Sequence, residues 1–303
     1  MPKQQSRSWV INYLGAGLIW GSSFFFIRLA NPALPPVGLA FWRTLIGAIT
    51  LFVVILIRRI DLRRDFKMLG YSMFLGGFNV AIPFALFAFA EHYVSSAFAG
   101  MMNAFTPVAT VLALLFIFRG EKVSGRQIVG LAVGIVGVLT LMGIWNGFAA
   151  TSIVGVVAVA IAALLYGIGG PFIRKYVEPL GHDIEVAAFG QMASAAVLLS
   201  PFYFAGPLTT GPIDGTVAIS VLSLGMLGSG IAYLFFYPLL KQVGSAVAST
   251  VTLVVPLVAV TLGVLVLGEN LSINEPIGGL VILLGAAIAQ GLVRLPKRFR
   301  RTL

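Results

Sequence analysis

The sequence predicts an all-α membrane protein with ten transmembrane helices, built as two inverted five-helix repeats over residues 1–148 and 149–303. Three observations predict it: the chain is too apolar for water, one long stretch is written twice, and a ten-span reading sorts the basic residues onto one face. Hydrophobic residues make up 59% of the chain and charged ones 10%, with a mean hydropathy of +1.01, whereas a soluble domain carries about 25% charged residues. In a soluble chain a net charge of +10 would suggest a nucleic-acid partner. Here the basic residues sit between apolar runs, so orientation in a bilayer accounts for them and no nucleic acid is expected. There is no cysteine, so composition says nothing about redox compartment.

The doubled stretch first reads SSAFAGMMNAFTP from Ser95 to Pro107, an apolar run to Phe118, then GEKVSGRQIVG from Gly120 to Gly130. Its second copy reads GSAVASTVTLVVP from Gly244 to Pro256, an apolar run to Leu267, then GENLSINEPIG from Gly268 to Gly278. Ser96, Ala97, Ala99 and Pro107 answer to Ser245, Ala246, Ala248 and Pro256; after a one-residue slip Gly120, Glu121, Ser124 and Gly130 answer to Gly268, Glu269, Ser272 and Gly278. Agreement at that density marks a duplicated unit.

A bilayer core of about 30 Å needs roughly 20 apolar residues per helix. In order along the chain, spans fall near 10–30, 38–57, 69–90, 95–118, 126–144, 152–171, 185–204, 216–238, 244–267 and 276–293, joined by short connectors. The first run follows Lys3 and Arg7 as a signal peptide would, but it is too long for a signal core and lacks a small-residue cleavage site, so it is read as a span. With these spans every Lys and Arg except Arg28 and Arg43 lies on the face bearing the N-terminus. The positive-inside rule then puts both termini in the cytoplasm. Further pairs extend the repeat: Trp20 with Tyr166, Arg28 with Arg174, Gly76 with Gly225, Ile82 with Ile231 and Phe87 with Phe236. Five helices is an odd number, so the second copy enters from the opposite face. Inverted repeats of this kind belong chiefly to secondary transporters, with the substrate site near the midplane.

The WGSSFFFIR of span 1, the PPVGLAFWR leading into span 2, the repeated helix running from small residues to proline and the doubled GExxS turn resemble the EamA-type branch of the drug/metabolite transporter superfamily. The resemblance covers nearly the whole chain. It implies a ten-helix carrier of small metabolites, often amino acids or drugs, in a bacterial inner membrane.

Candidate site residues follow from polarity at mid-span. Ser96, Gly100, Asn103 and Pro107 form one helical stripe in span 4, matched by Ser245, Ser249, Thr252 and Pro256 in span 9. The small residues suit close helix packing. Asn103 and Thr252 are substrate-site candidates, because mid-span polar groups need partners and both precede a proline that frees a backbone carbonyl. Pro107 and Pro256 are candidate hinges. Asn79, four residues before Pro83, is a further polar candidate in span 3.

Arg43 is the charged residue well inside a span, roughly 8 Å from the outer face at 1.5 Å per residue. Three readings stay open: snorkelling to the headgroups, docking a substrate carboxylate with its bidentate fork, or pairing with Glu91 in the outer connector as a gate beside His92. Its repeat mate is Gln191. Among aromatics, Trp20 and Tyr166 occupy equivalent mid-helix positions, as do Phe84 and Tyr233, so these four are expected to wall the site.

The glutamates of the GExxS turns invite a catalytic reading. It fails, because Ser124 with Gln127 and Ser272 with Glu275 read as capping boxes, and Glu121 and Glu269 lie on opposite faces. Their expected work is bonding backbone donors or a basic neighbour at a tight turn. Spans 5 and 10 carry Gly130, Gly134, Gly137 and Gly278, Gly285, as packing helices or a homodimer surface. No P-loop and no cluster of ligating residues is present in the sequence, so no cofactor, metal or enzymatic chemistry is expected. The expectation is a secondary transporter exporting a small metabolite, an amino acid or related carboxylate-bearing compound, with hydrophobic drugs or lipid-like compounds as the alternative.

Overall fold

Apolar segments of this length must satisfy their backbone polar groups internally, and helices do so within one segment. A computed structural model describes residues 5–62, 65–118, 123–144, 152–236, 238–239, 242 and 249–293, and every regular element among them is helical. Among the described residues six helices are long and apolar enough to cross a membrane: Trp9–Ala30 within α1 (Gln5–Ala30), α2 (Pro36–Arg58), Phe66–Ala90, Ile153–Leu180, α9 (Ile184–Ala205) and Gly215–Phe236. A seventh is a bent pair, α5 (Ser96–Asn103) and α6 (Thr106–Phe116), meeting at 43°. Shorter apolar helices follow in α7 (Gly125–Leu141), Val251–Leu265 and α12 (Asn274–Gln290).

Helix ends are marked by local chemistry. Pro36 opens α2, where its missing N–H costs nothing. Asp65 caps the next helix by accepting from Lys67 and Met68 N–H, and Ser95 caps α5 by accepting from Phe98 N–H. Ser124 and Gln127 form the reciprocal capping box expected at the start of α7. The second expected box is not formed: α12 begins one residue later than Ser272 requires, and no side chain caps it. The Asn274 side chain instead donates to the Leu141 carbonyl at 2.9 Å, so a contact with α7 determines where α12 starts.

Two long helices carry π-helical turns in their middles. In the third, α3 (Phe66–Leu75) and α4 (Ile82–Ala90) are joined by Gly76–Ala81; in Gly215–Phe236, α10 (Gly215–Leu222) runs into Ser223–Ile231. The sequence pairs Gly76 with Gly225 and Ile82 with Ile231, so the two turns fall at matching places. A π turn widens the helix and is concentrated at functional sites.

Helices of residues 5–141 pack largely on those of residues 153–290: α1 and α5 on α11 (Val255–Leu265), α2 on α9 and on Ser223–Ile231, α4 and α6 on α8 (Ile153–Phe172). Helices α7 and α12 pair with each other through their glycines. A Cβ on Gly137 would stand 2.5 Å from the Ile282 nitrogen, and one on Gly278 would stand 2.2 Å from the Leu141 nitrogen. The glycines of spans 5 and 10 therefore serve a contact within the chain. A homodimer through these spans would have to use their outward faces, where Val136, Leu139, Leu280 and Leu284 are exposed.

Candidate functional site

Arg43 lies on α2 and is 7% exposed. Its Nε donates to Ser229 Oγ at 3.1 Å, and its guanidinium carbon stands 3.7 Å from the centroid of the Phe84 ring on α4. The side chain points between helices, which corrects the snorkelling reading: the π turn of Ser223–Ile231 and the Phe84 face draw it inward. It does not pair with Glu91 among the described residues, since neither Glu91 carboxyl oxygen has a hydrogen-bond partner. A guanidinium carries five N–H donors, and here the neighbouring protein supplies a neutral hydroxyl and an aromatic face. The phenols of Tyr166 and Tyr233 also lie within electrostatic reach of the cation.

The same π turn holds Trp20. Its Nε1 donates to the Gly228 carbonyl at 3.1 Å, while its ring meets Tyr233 edge-on at 5.9 Å and Phe236 at 5.1 Å. On the other side Tyr166 of α8 packs against Phe87 at 5.7 Å, and Phe87 against Phe24 at 5.4 Å. Trp20 on Phe236 and Tyr166 on Phe87 are counterparts in the repeat pairing. Phe84, Trp20, Tyr166 and Tyr233 thus lie close together inside the bundle, with Arg43 among them.

Other candidates are placed differently. Asn79 sits in the π turn Gly76–Ala81, its side chain filling the space that a Cβ on Gly169 of α8 would need. It packs in a helix contact. Gln191 is buried on α9, where its backbone carbonyl closely approaches Gly76. Asn103 ends α5 at the bend, and its Oδ1 is buried with no hydrogen-bond partner among the described residues, as is Thr106 Oγ1. The bend falls just before Pro107, which occupies the first turn of α6. Thr252 lies in the 3-10 turn Ser249–Leu253 and Pro256 in the first turn of α11, the same order of break then proline. Ser245, at the start of the second stripe, and Glu121 lie outside the described residues.

His92 is exposed in the loop between α4 and α5, whereas Glu91 beside it is fully buried. Residues that sequence reasoning missed are Gly228 and Ser229, which supply the acceptors for Trp20 and Arg43. Their signal was the Gly-Ser-Gly run at 228–230, mid-helix, where close backbone approach is the usual reason for glycine. A groove of 450 Å³ opens elsewhere, between α3 and α9, lined by Leu62, Asp65, Phe66, Ser72, Phe189 and Ser194. Above it His182 Nε2 meets Asp65 Oδ2 at 3.0 Å, and Arg58 pairs with Glu185 at 2.9 Å. Among the described residues no group of three His, Cys, Asp or Glu is placed to hold a metal.

The geometry is that of a polar and aromatic cluster inside a helical bundle. The model of the EamA-like transporter family matches the chain twice, over residues 7–143 and 153–290. The uncharacterized inner membrane transporter YedA of Escherichia coli (strain K12) is 30% identical over 84% of this chain and 81% of its own length. Protein PagO of Salmonella typhimurium is 26% identical over 88% and 87%, and an uncharacterized transporter of Archaeoglobus fulgidus 26% over 93% and 98%. One solved crystal structure of a protein superposes with a TM-score of 0.66, covering 95% of this chain and 98% of the other at 23% identity, which shows a shared fold alone. The family and the names of these relatives point to a transporter rather than an enzyme. This chain belongs to the EamA-like transporter family.

Proposed function

We propose that the protein is a secondary transporter of the bacterial inner membrane that exports a small carboxylate-bearing metabolite, an amino acid or a close relative. In this reading ten spans form two inverted five-helix repeats, 1–148 and 149–303, with both termini cytoplasmic. Access alternates as the repeats exchange conformations around a midplane site. The double match of the family model and the mirrored π turns support the repeat. That the relative YedA is called an inner membrane transporter supports the location.

One observation carries the substrate class: Arg43 is buried with a neutral hydroxyl and an aromatic face as its neighbours, and no carboxylate is bonded to it among the described residues. A buried cation of that kind gains most from a bidentate anion, and a cargo carboxylate would supply it. Trp20, Phe84, Tyr166 and Tyr233 would wall the apolar part of the cargo, with Asn103 and Thr252 near the bends. Pro107 and Pro256 would flex. The test is counterflow in liposomes of purified protein with labelled amino acids and organic acids, beside Arg43→Gln and Arg43→Lys. Counterflow of a carboxylate compound that Gln abolishes and Lys partly restores is the expected result. Counterflow that Gln leaves intact removes Arg43 from the site. The aromatic density around Trp20 favours hydrophobic drugs as the second reading, and counterflow restricted to uncharged apolar compounds would select it.

A further inference from the structure

The outer loops hold two carboxyl groups in opposite situations. Glu91 follows the last residue of α4 and is 0% exposed, and neither of its carboxyl oxygens has a hydrogen-bond partner among the described residues. Glu269, in the turn between α11 and α12, accepts from Ser96 N–H at 2.8 Å and from Ala97 N–H at 3.0 Å. Those are the first amides of α5, where a helix N-terminus suits a negative charge. Glu269 therefore ties the α11–α12 turn of the second half to the fourth span of the first.

Glu91 lies close by without any such donors. Arg28, at the end of α1, donates to the backbone carbonyl of Glu91 rather than to its carboxyl group, and Asn31 donates to the Ala88 carbonyl at 2.8 Å. The charged groups that act on the Glu91 carboxyl are Glu269 beyond α11, Arg28 on α1 and Arg43 on α2, with exposed His92 next in the chain. An ionised carboxylate buried without donors costs several kcal/mol, far more than taking up a proton. Burial pushes this carboxyl well above the usual carboxylate range, Glu269 adds to the push, and Arg28 and Arg43 oppose it.

We infer that the Glu91 carboxyl is a proton-binding site whose occupancy holds the outer loops together. With the proton bound, a neutral Glu91 lies beside the Glu269 carboxylate, and Glu269 stays on the α5 N-terminus. When the proton leaves to solvent, two carboxylates share one water-poor corner. Parting the 90–97 loop from the α11–α12 turn hydrates both. In the transport reading, on which only this consequence rests, proton release at the outer face is the step coupled to outward opening.

The absence of cysteine lets pairs of labels be placed cleanly. Two measurements on the full chain in lipid nanodiscs, titrated from about pH 5 to about pH 9, test the site without any cargo. Infrared difference spectra of wild type against Glu91→Gln should show a protonated-carboxyl C=O band near neutrality that the variant lacks and that titrates above the ordinary glutamate range. Spin labels at Tyr93→Cys and Ile273→Cys, both exposed in the two loops, should separate as pH rises in the wild-type background and keep one short distance with Glu91→Gln. Identical infrared spectra near neutrality would overturn proton binding. A band with no pH-dependent change in label distance would overturn the link to closure. Either result is independent of the counterflow assay, so failure here and failure of the transport reading are told apart. Glu91→Gln keeps the shape and neutrality of the protonated acid, and Glu91→Asp, which restores a titratable group, should recover the pH response if the Gln variant folds poorly.

Discussion

Removing the Glu269 side chain should unfasten the first turn of α5 and little else. In Glu269→Ala the amides of Ser96 and Ala97 lose their acceptors, at 2.8 and 3.0 Å, while Phe98 N–H keeps the Ser95 hydroxyl at 3.0 Å and Ala99 N–H keeps the Ser95 carbonyl at 3.1 Å. A hydrogen bond to a charged group contributes about 1.5–3 kcal/mol. Glu269 is half-buried, so solvent screening brings the joint effect down to about 2 kcal/mol. At about 1.4 kcal/mol per factor of ten, that is roughly 30-fold faster exchange at these two amides. Hydrogen exchange read by mass spectrometry on peptides spanning 93–103 measures it, with fragmentation to separate Ser96 and Ala97 from Phe98 and Ala99. Gly263→Ala should give a weaker version of the same pattern, since its Cβ would stand 2.4 Å from Glu269 Oε2 and push the carboxylate off the amides. Unchanged exchange at Ser96 and Ala97 would refute the reasoning. So would a uniform increase along all of α5, which would mean that the side chain supports the whole helix rather than its first turn.

Gly278→Ala should destabilise the protein by about 1–3 kcal/mol, because the new Cβ meets Leu141 backbone at 2.2 Å and backbone cannot rotate away; thermal unfolding in lipid, with Gly70→Ala as the control facing open space, measures it. The hydrogen bond from His182, with help from the Met68 amide, holds the Asp65 carboxyl below its usual value. A depressed carboxyl contributes stability above its unfolded pKa, near 4, and loses it as pH falls through the folded value. The melting temperatures of wild type and Asp65→Asn should therefore differ near neutrality and converge in acid. A constant gap would show that the pair does not act through its charge. Trp20→Phe keeps an aromatic ring against Tyr233 and Phe236 but loses the Nε1 bond to Gly228, for about 1 kcal/mol, measurable by the same unfolding assay.

Much of this molecule is local chemistry and could be read directly. Apolar run length predicts where helices lie, Ser124 and Gln127 predict a capping box because the box is made within four residues, and Pro107 predicts a break because it lacks an N–H. Contacts between distant segments obey no such local rule. The Arg43 side chain could have reached the headgroups from its place in the sequence; it turns inward because Ser229 and Phe84 happen to stand beside it. The second capping box looked as sound as the first, yet Asn274 bonds Leu141 and shifts the helix start. The glycines of spans 5 and 10 implied close packing without naming the partner, which proved to be each other. Sequence by itself determined the helical, membrane-suited character, the duplicated pattern and the residue types of the candidate site. Tertiary structure alone decided which way Arg43 faces, that Glu269 binds the amides of α5 and that Glu91 is buried with no donor to its carboxyl among the described residues. The physical reason is that helix propensity and hydropathy act over a few neighbouring residues, while the direction of a side chain and the burial of a carboxyl are set by helices that arrive from elsewhere in the chain.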